Sequence, residues 1–174
     1  MTLDPSQLNE KGKESFQNAD YNEAVNFFRQ AAEGYTLAKD EASAAESKNN
    51  MSVALLQAGN PQEALDAALN TDIFFESIKD VKRQAMALGN QAAALEALNR
   101  LDEAVAAYER SAELFAQVHE GDMRALVLKS SAAIKLKSGK ISEAAFKMMG
   151  SLEAKDNPGF FDRIMKFFLR LVGK

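Results

Sequence analysis

The chain of 174 residues has no cysteine, no tryptophan and a single histidine. Without thiols there is no disulfide framework and no thiolate nucleophile, and one imidazole cannot supply a multi-histidine metal site, so no cofactor or metal is expected. Glycine (9) and proline (3) are scarce, which excludes collagen-like and linker-like chains. No run of about 18 uncharged apolar residues occurs, so no segment reads as a membrane-spanning helix. Nor is there excess positive charge: 21 Lys and Arg face 25 Asp and Glu, net −4, so nucleic acid is not an expected partner. The opening MTLDPSQLNE has an early acid and no apolar centre; no secretory or transit signal is read there, and the expected location is cytoplasmic.

What the chain does have is a 47% apolar fraction, enough to bury a core in one compact domain or one short solenoid. It also repeats. The segments NADYNEAV (18–25), AGNPQEAL (58–65), LNRLDEAV (98–105) and SGKISEAA (138–145) align without gaps. Each carries a Glu-Ala pair, and Glu23-Ala24, Glu63-Ala64, Glu103-Ala104 and Glu143-Ala144 follow one another at a constant interval. A fixed period of about 40 residues means stacked supersecondary units.

The punctuation predicts helix, tight turn, helix in each unit. Asp20 and Asn60 stand three residues before Glu23 and Glu63, at capping-box spacing, and Pro61 sits where a first helical residue needs no N–H donor. Asp40, Asp80 and Asp122 can cap the other set of helices. First helices are expected at roughly 5–18, 41–58, 81–98 and 123–138, second helices at roughly 21–38, 61–79, 101–119 and 141–154. Val105, Tyr108, Ala112, Phe115 and Val118 form an apolar stripe on one second helix, and Tyr35, Phe75 and Phe115 form a column at the repeat interval. Small residues recur where helices must approach closely: Gly12, Ser52, Ala92 and Ala132 on first helices, Ala24, Ala64, Ala104 and Ala144 on second. Nothing alternates as a strand would, so the chain is all-α.

These residues resemble the tetratricopeptide repeat (TPR) family, with small residues on both helices, Gly59, Asn99 and Gly139 before the turn, and Tyr21, Pro61, Leu101 and Ile141 opening the second helix. The resemblance spans about residues 5–154 and is strongest in LGNQAAALEALNRLDEAVAAYERS. The period is about 40 residues instead of the family's usual length of about 34, and Leu8, Lys48, Leu88 and Leu128 replace the aromatic expected early in the first helix. The resemblance implies a right-handed α-solenoid of four repeats, at about 5–40, 41–80, 81–120 and 121–156, together spanning 1–156.

It also implies a function: a non-catalytic module or adaptor that holds a peptide or helix of a partner in a groove lined by first helices. Positions matching that lining include Asn9, Lys13, Phe16, Asn49, Asn50, Val53, Met86, Asn90 and Lys129, with Glu46, Leu56, Ala93, Leu126, Ala133 and Leu136 beside them. Asn50 and Asn90 share a repeat position, and a rung of amides can both donate to and accept from a ligand backbone. Of the positions at which family members clamp a chaperone's C-terminal carboxylate (Asn9, Lys13, Asn50, Met86 and Asn90 here), only Asn50 fits that pattern, so such a clamp is not expected. Nothing reads as catalytic: there is no GxSxG, P-loop, GxGxxG or HExxH, and His119, beside Glu120 and Gly121, reads as a helix C-terminal partner.

The last segment, 157–174, is expected to be an amphipathic capping or docking helix opened by Asn157-Pro158. Phe160, Ile164, Phe167, Phe168, Leu171 and Val172 share one face with Phe161 and Met165 beside them. Arg163, Lys166, Arg170 and Lys174 outweigh Asp162, giving +3 against −7 for residues 1–157. It can cap the last repeat, form a homodimer, or bind an anionic membrane surface; the alternative function for the chain is a membrane-peripheral or regulatory adaptor acting through this helix.

Overall fold

A computed structural model describes residues 3–137 and 141–154, with side chains left out at 141 and 142. Among the described residues are nine helices and no strands: α1 (Pro5–Gln17), α2 (Tyr21–Leu37), α3 (Glu41–Gln57), α4 (Pro61–Ala68), α5 (Thr71–Ser77), α6 (Val81–Ala97), α7 (Leu101–Gln117), α8 (Gly121–Lys137) and α9 (Ile141–Ala154). The first helices of the repeats are α1, α3, α6 and α8.

The backbone repeats at half the sequence period. Ala19, Lys39, Gly59, Lys79, Asn99 and His119 all have φ between 58° and 83°, the left-handed conformation that ends a helix. One residue later the amides of Asp20, Asp40, Asn60, Asp80, Arg100 and Glu120 donate to carbonyls five residues back, at 2.9–3.0 Å, the Schellman closure that satisfies orphan carbonyls. Each turn therefore takes three residues and reverses the chain. His119 is exposed and is the left-handed residue of the turn just past the C-terminus of α7.

Helix starts divide into those that cap as expected and those that do not. Asp40 accepts from the Ser43 amide at 3.1 Å and Asp80 from the Arg83 amide at 3.0 Å. Asp20 and Asn60 make no side-chain cap bond; the Glu23 carboxylate instead accepts from the Ser15 hydroxyl at 2.9 Å, tying α2 back to α1. Asp122 lies inside the first turn of α8, which starts at Gly121, two residues earlier than expected. The full reciprocal capping box is at α1, where Asp4 and Gln7 bond each other's backbone at 2.9 and 3.1 Å.

Every small residue named from the repeat is buried. Ala24, Ala64, Ala92 and Ala104 are 0% exposed, Ser52 donates to the Ala64 carbonyl at 2.7 Å, and a Cβ on Gly12 would lie 2.6 Å from Phe28. One apolar cluster runs from Ala24 in α2 to Ile134 in α8, and Phe75 and Phe115 are both fully buried.

The expected helix over 61–79 is broken. Leu69 is extended (ψ 134°) and Asn70 is left-handed (φ 64°), separating α4 from α5. Local sequence permits it: Asn tolerates that conformation, and Thr71 replaces the Ala31, Ser111 and Ser151 of the other repeats with a stiff β-branched residue. Tertiary contacts hold it. The buried Thr71 hydroxyl lies 2.7 Å from the Ala68 carbonyl and 2.9 Å from Asn49 Oδ1, and its one proton serves one of them at a time. Gln91 of α6 donates to the Ala68 carbonyl at 3.0 Å and to Asp72 at 2.7 Å, so the broken ends are satisfied from the neighbouring repeat. Phe75 then packs in a separate small cluster with Ala45, Ala87 and Phe74.

Candidate functional site

The first helices stand side by side, as contacts between consecutive repeats record: Ser47 of α3 donates to Asn9 of α1 at 3.4 Å, and the Asn90 amide of α6 reaches the Asn49 carbonyl of α3 at 3.5 Å. Between these helices lie two clefts whose linings overlap in repeat position at Lys13/Ala93, Phe28/Tyr108 and Asn50/Ser130. The α1/α3 cleft, about 220 Å³, is lined by Lys13, Phe16, Gln17, Phe28, Asn50 and Val53. The α6/α8 cleft, about 290 Å³, is lined by Met86, Gly89, Asn90, Ala93, Tyr108, Phe115, Met123, Leu126, Val127 and Ser130. Phe28 and Tyr108, two repeats apart, occupy equivalent places in the two.

Between α3 and α6 the same face is bridged by the protein's own groups. Arg83 binds Glu46 at 3.1 Å and Asp80 at 2.7 Å, and its guanidinium lies 5.0 Å from the Phe75 ring centre. Burial raises the Asp80 carboxyl, but hydrogen bonds from the Arg83 backbone and side chain outweigh it and leave the group below the usual carboxylate range. Ala68 stands where Phe28 and Tyr108 stand in their repeats, so the break in the second helix and the bridged part of the face fall in the same repeat.

The groove residues expected from the sequence thus separate into three groups. Lys13, Phe16, Asn50 and Val53 come together at one cleft, and Met86 and Asn90 at the other, with Ala93 and Leu126. Asn9 and Asn49 are buried and hydrogen-bonded within the protein, so they are internal ties and are not presented to a ligand. Lys129 is exposed but lines neither cleft. Phe160, Phe161, Ile164, Phe167, Phe168 and Leu171 lie outside the described residues. As lining residues, sequence reasoning passed over Gln17 and Phe28 at the first cleft and Gly89, Tyr108, Phe115, Met123, Val127 and Ser130 at the second, although Gly89 and Ser130 share the repeat positions of Asn49 and Asn50.

The polar chemistry of the α6/α8 cleft is passive. Tyr108 donates to Glu96 at 3.1 Å, and burial, together with that carboxylate, pushes the phenol well above its ordinary range, so it stays protonated. Outside the cleft lining, Glu109 binds Lys135 at 3.2 Å and Lys147 at 3.1 Å, joining α7 to α8 and α9. Among the described residues no group of three or more His, Cys, Asp or Glu could hold a metal ion. No described helix is long and apolar enough to cross a membrane.

No family model matches the sequence, and no curated protein matches it either. Solved structures do. A putative kinesin light chain from Podosopora anserina with nearly identical TPR-like repeats superposes with a TM-score of 0.59 at 16% identity, covering 98% of this chain and 97% of that one. A variant of it gives the same TM-score and identity over 99% of this chain and 97% of that one. Likeness at that identity speaks for architecture alone. Combined with the constant sequence period and the paired helices, it makes this chain an all-α solenoid of TPR-like helical repeats.

Proposed function

We propose that the chain is a non-catalytic interaction module, an adaptor that holds a peptide or helix of a partner protein along the face formed by α1, α3, α6 and α8. The observation that carries this reading is the pair of clefts at overlapping repeat positions on one face. Both are lined mainly by apolar side chains with a few amides or hydroxyls, Lys13 being the one charged lining residue, as a binding surface is and an acid–base site is not. The test is a pull-down from source lysate, then titration of the purified partner by calorimetry. Binding at fixed stoichiometry without turnover is expected, and alanine at Asn50 and Asn90 together weakens an extended ligand by roughly 1–3 kcal/mol. Binding that ignores this double variant and a Leu126→Lys variant alike would remove the face from the account.

A second reading rests on the pattern at 157–174, where a basic face opposes six apolar residues in a chain otherwise acidic. Such a segment suits an anionic membrane surface, a cap on the last repeat, or a homodimer contact. Truncation after Asp156 separates these. A folded body that no longer binds anionic vesicles supports the membrane role, whereas loss of stability supports the cap. Stable truncation with unchanged vesicle binding and oligomeric state defeats all three. A cytoplasmic location is proposed with either reading.

A further inference from the structure

Besides Gly121, which opens α8, four glycines lie inside described helices, and they are not alike. A Cβ on Gly12 would sit 2.6 Å from Phe28, and one on Gly34 would sit 2.6 Å from Pro5, so close packing requires glycine at both. A Cβ on Gly89 would meet nothing nearer than Ser111 Oγ at 3.5 Å and Val127 Cγ1 at 3.6 Å, an ordinary contact. Gly150 is similarly uncrowded but faces Leu128. Glycine within a helix is entropically costly, and at position 89 packing does not demand it. The equivalent positions hold Asn9, Asn49 and Lys129, whose longer side chains would project into the space that Gly89 leaves open beside Met86, Asn90 and Val127.

The two clefts also differ in chemistry. No charged side chain lines the α6/α8 cleft, and its rim is Met86 and Leu126, 40% and 58% exposed, with the adaptable thioether of Met123 beside them. The α1/α3 cleft has one charged lining residue, Lys13, together with the amides of Gln17 and Asn50. The contact of Lys13 with Glu10, at 2.7 Å on the same exposed helix face, is of the weak, screened kind and leaves the ammonium able to meet another carboxylate.

We propose that this face reads a partner peptide in one direction, with a large apolar side chain (Leu, Met or Phe) entering the α6/α8 cleft that Gly89 keeps open and an acidic side chain meeting Lys13 at the α1/α3 cleft. The proposal rests on the groove reading above and adds the class of partner. Two helix-packing steps separate the clefts, about 20 Å. That distance corresponds to about six residues of extended peptide or about 13 of helix.

The experiment is selection of a displayed random-peptide library, long enough for the helical spacing, on the full chain, followed by fluorescence titration of one synthetic winner. The expected winners carry a large apolar residue and an Asp or Glu at one of those spacings. Gly89→Leu should weaken the winner at least tenfold. Lys13→Glu should do the same and be rescued by Lys in place of the peptide's acid. If Gly89→Leu fails to fold, Leu126→Lys, at an exposed position, makes the same test, and Gly89→Ala, which fits, serves as the folded control. Winners without the apolar anchor, or equal binding by the Gly89→Leu and Leu126→Lys variants, overturn the proposal while leaving the groove reading intact, provided the Asn50, Asn90 double variant still weakens them. Winners indifferent to every variant of this face, or none at all, overturn both. A self-dimer that Leu126→Lys dissolves would identify a second copy as the occupant and overturn the proposal as stated.

Discussion

Repeats two and three share register, caps and turn geometry, yet the second helix of repeat three runs unbroken from Leu101 to Gln117 while that of repeat two stops at Ala68 and restarts at Thr71. In α7 the stretch Tyr108-Glu109-Arg110-Ser111 fills the core with a ring and lets Ser111 donate to the Ala85 carbonyl of α6 at 2.7 Å. In repeat two the matching Ala68-Leu69-Asn70-Thr71 has no ring to hold the core, a residue tolerant of left-handed backbone, and a hydroxyl that turns to Ala68 and Asn49 instead. The difference teaches that the repeat period sets where helices start and stop, whereas three or four side chains decide whether one stays continuous. It also divides the proposed binding face, because an aromatic floor underlies the two outer clefts and the stretch bridged by Arg83 lies over the break.

The largest effect that probes this contrast is loss of a buried ring. Phe115→Ala should cost about 3–5 kcal/mol, and Phe75→Ala should fall at the low end of that range, because the small cluster beside the break can collapse more easily. Chemical denaturation of both variants measures the difference. Next comes the tie that supports the break. Gln91→Ala leaves the Ala68 carbonyl without its partner from α6 and should cost about 1–3 kcal/mol, read from the same curves. Smaller, and opposite in sign between the repeats, are two glycine substitutions. Arg110→Gly in the middle of α7 should lose about 1 kcal/mol, whereas Asn70→Gly, already left-handed, should gain a few tenths.

Acid sharpens the contrast from another side. Glu109 in α7 is raised by burial, but hydrogen bonds from Lys147 and Lys135 outweigh that and lower it overall, and Asp80 after the broken helix is lowered through Arg83. For a carboxyl lowered on folding, the stabilisation is complete above the unfolded pKa and is lost as pH falls through the folded one. Thermal midpoints should therefore drop as pH is taken from neutral to about 3, and Glu109→Gln should flatten the drop and do so through the last repeat, where α7, α8 and α9 meet. A variant with the wild-type pH profile would show that the cluster contributes no linkage.

Much of this was legible in the residues. Glu-Ala spacing and small-residue positions located four repeats, and eight of the nine described helices start at or within two residues of where caps and turns placed them. The break was not legible from periodicity, because Phe75 keeps the repeat column intact on its far side; the Leu69-Asn70-Thr71 run was the local signal, and the fixing partner, Gln91, belongs to the next repeat. Asn9 and Asn49 read as groove residues because spacing reports the helix face and not how deeply a side chain sits. Gly89 carried no signal until the space around a missing Cβ could be measured.

Residue-resolved amide hydrogen exchange tests the central claim, a regular repeat framework interrupted at one point, most directly. The first turn of α5 has no intrahelical acceptors for its amides, so Thr71, Asp72 and Ile73 should exchange fast, while Ser111, Ala112 and Glu113 at the matching positions of α7 stay protected. Equal, strong protection at 71–73 and 111–113 would mean an unbroken second helix in repeat two and would contradict the account.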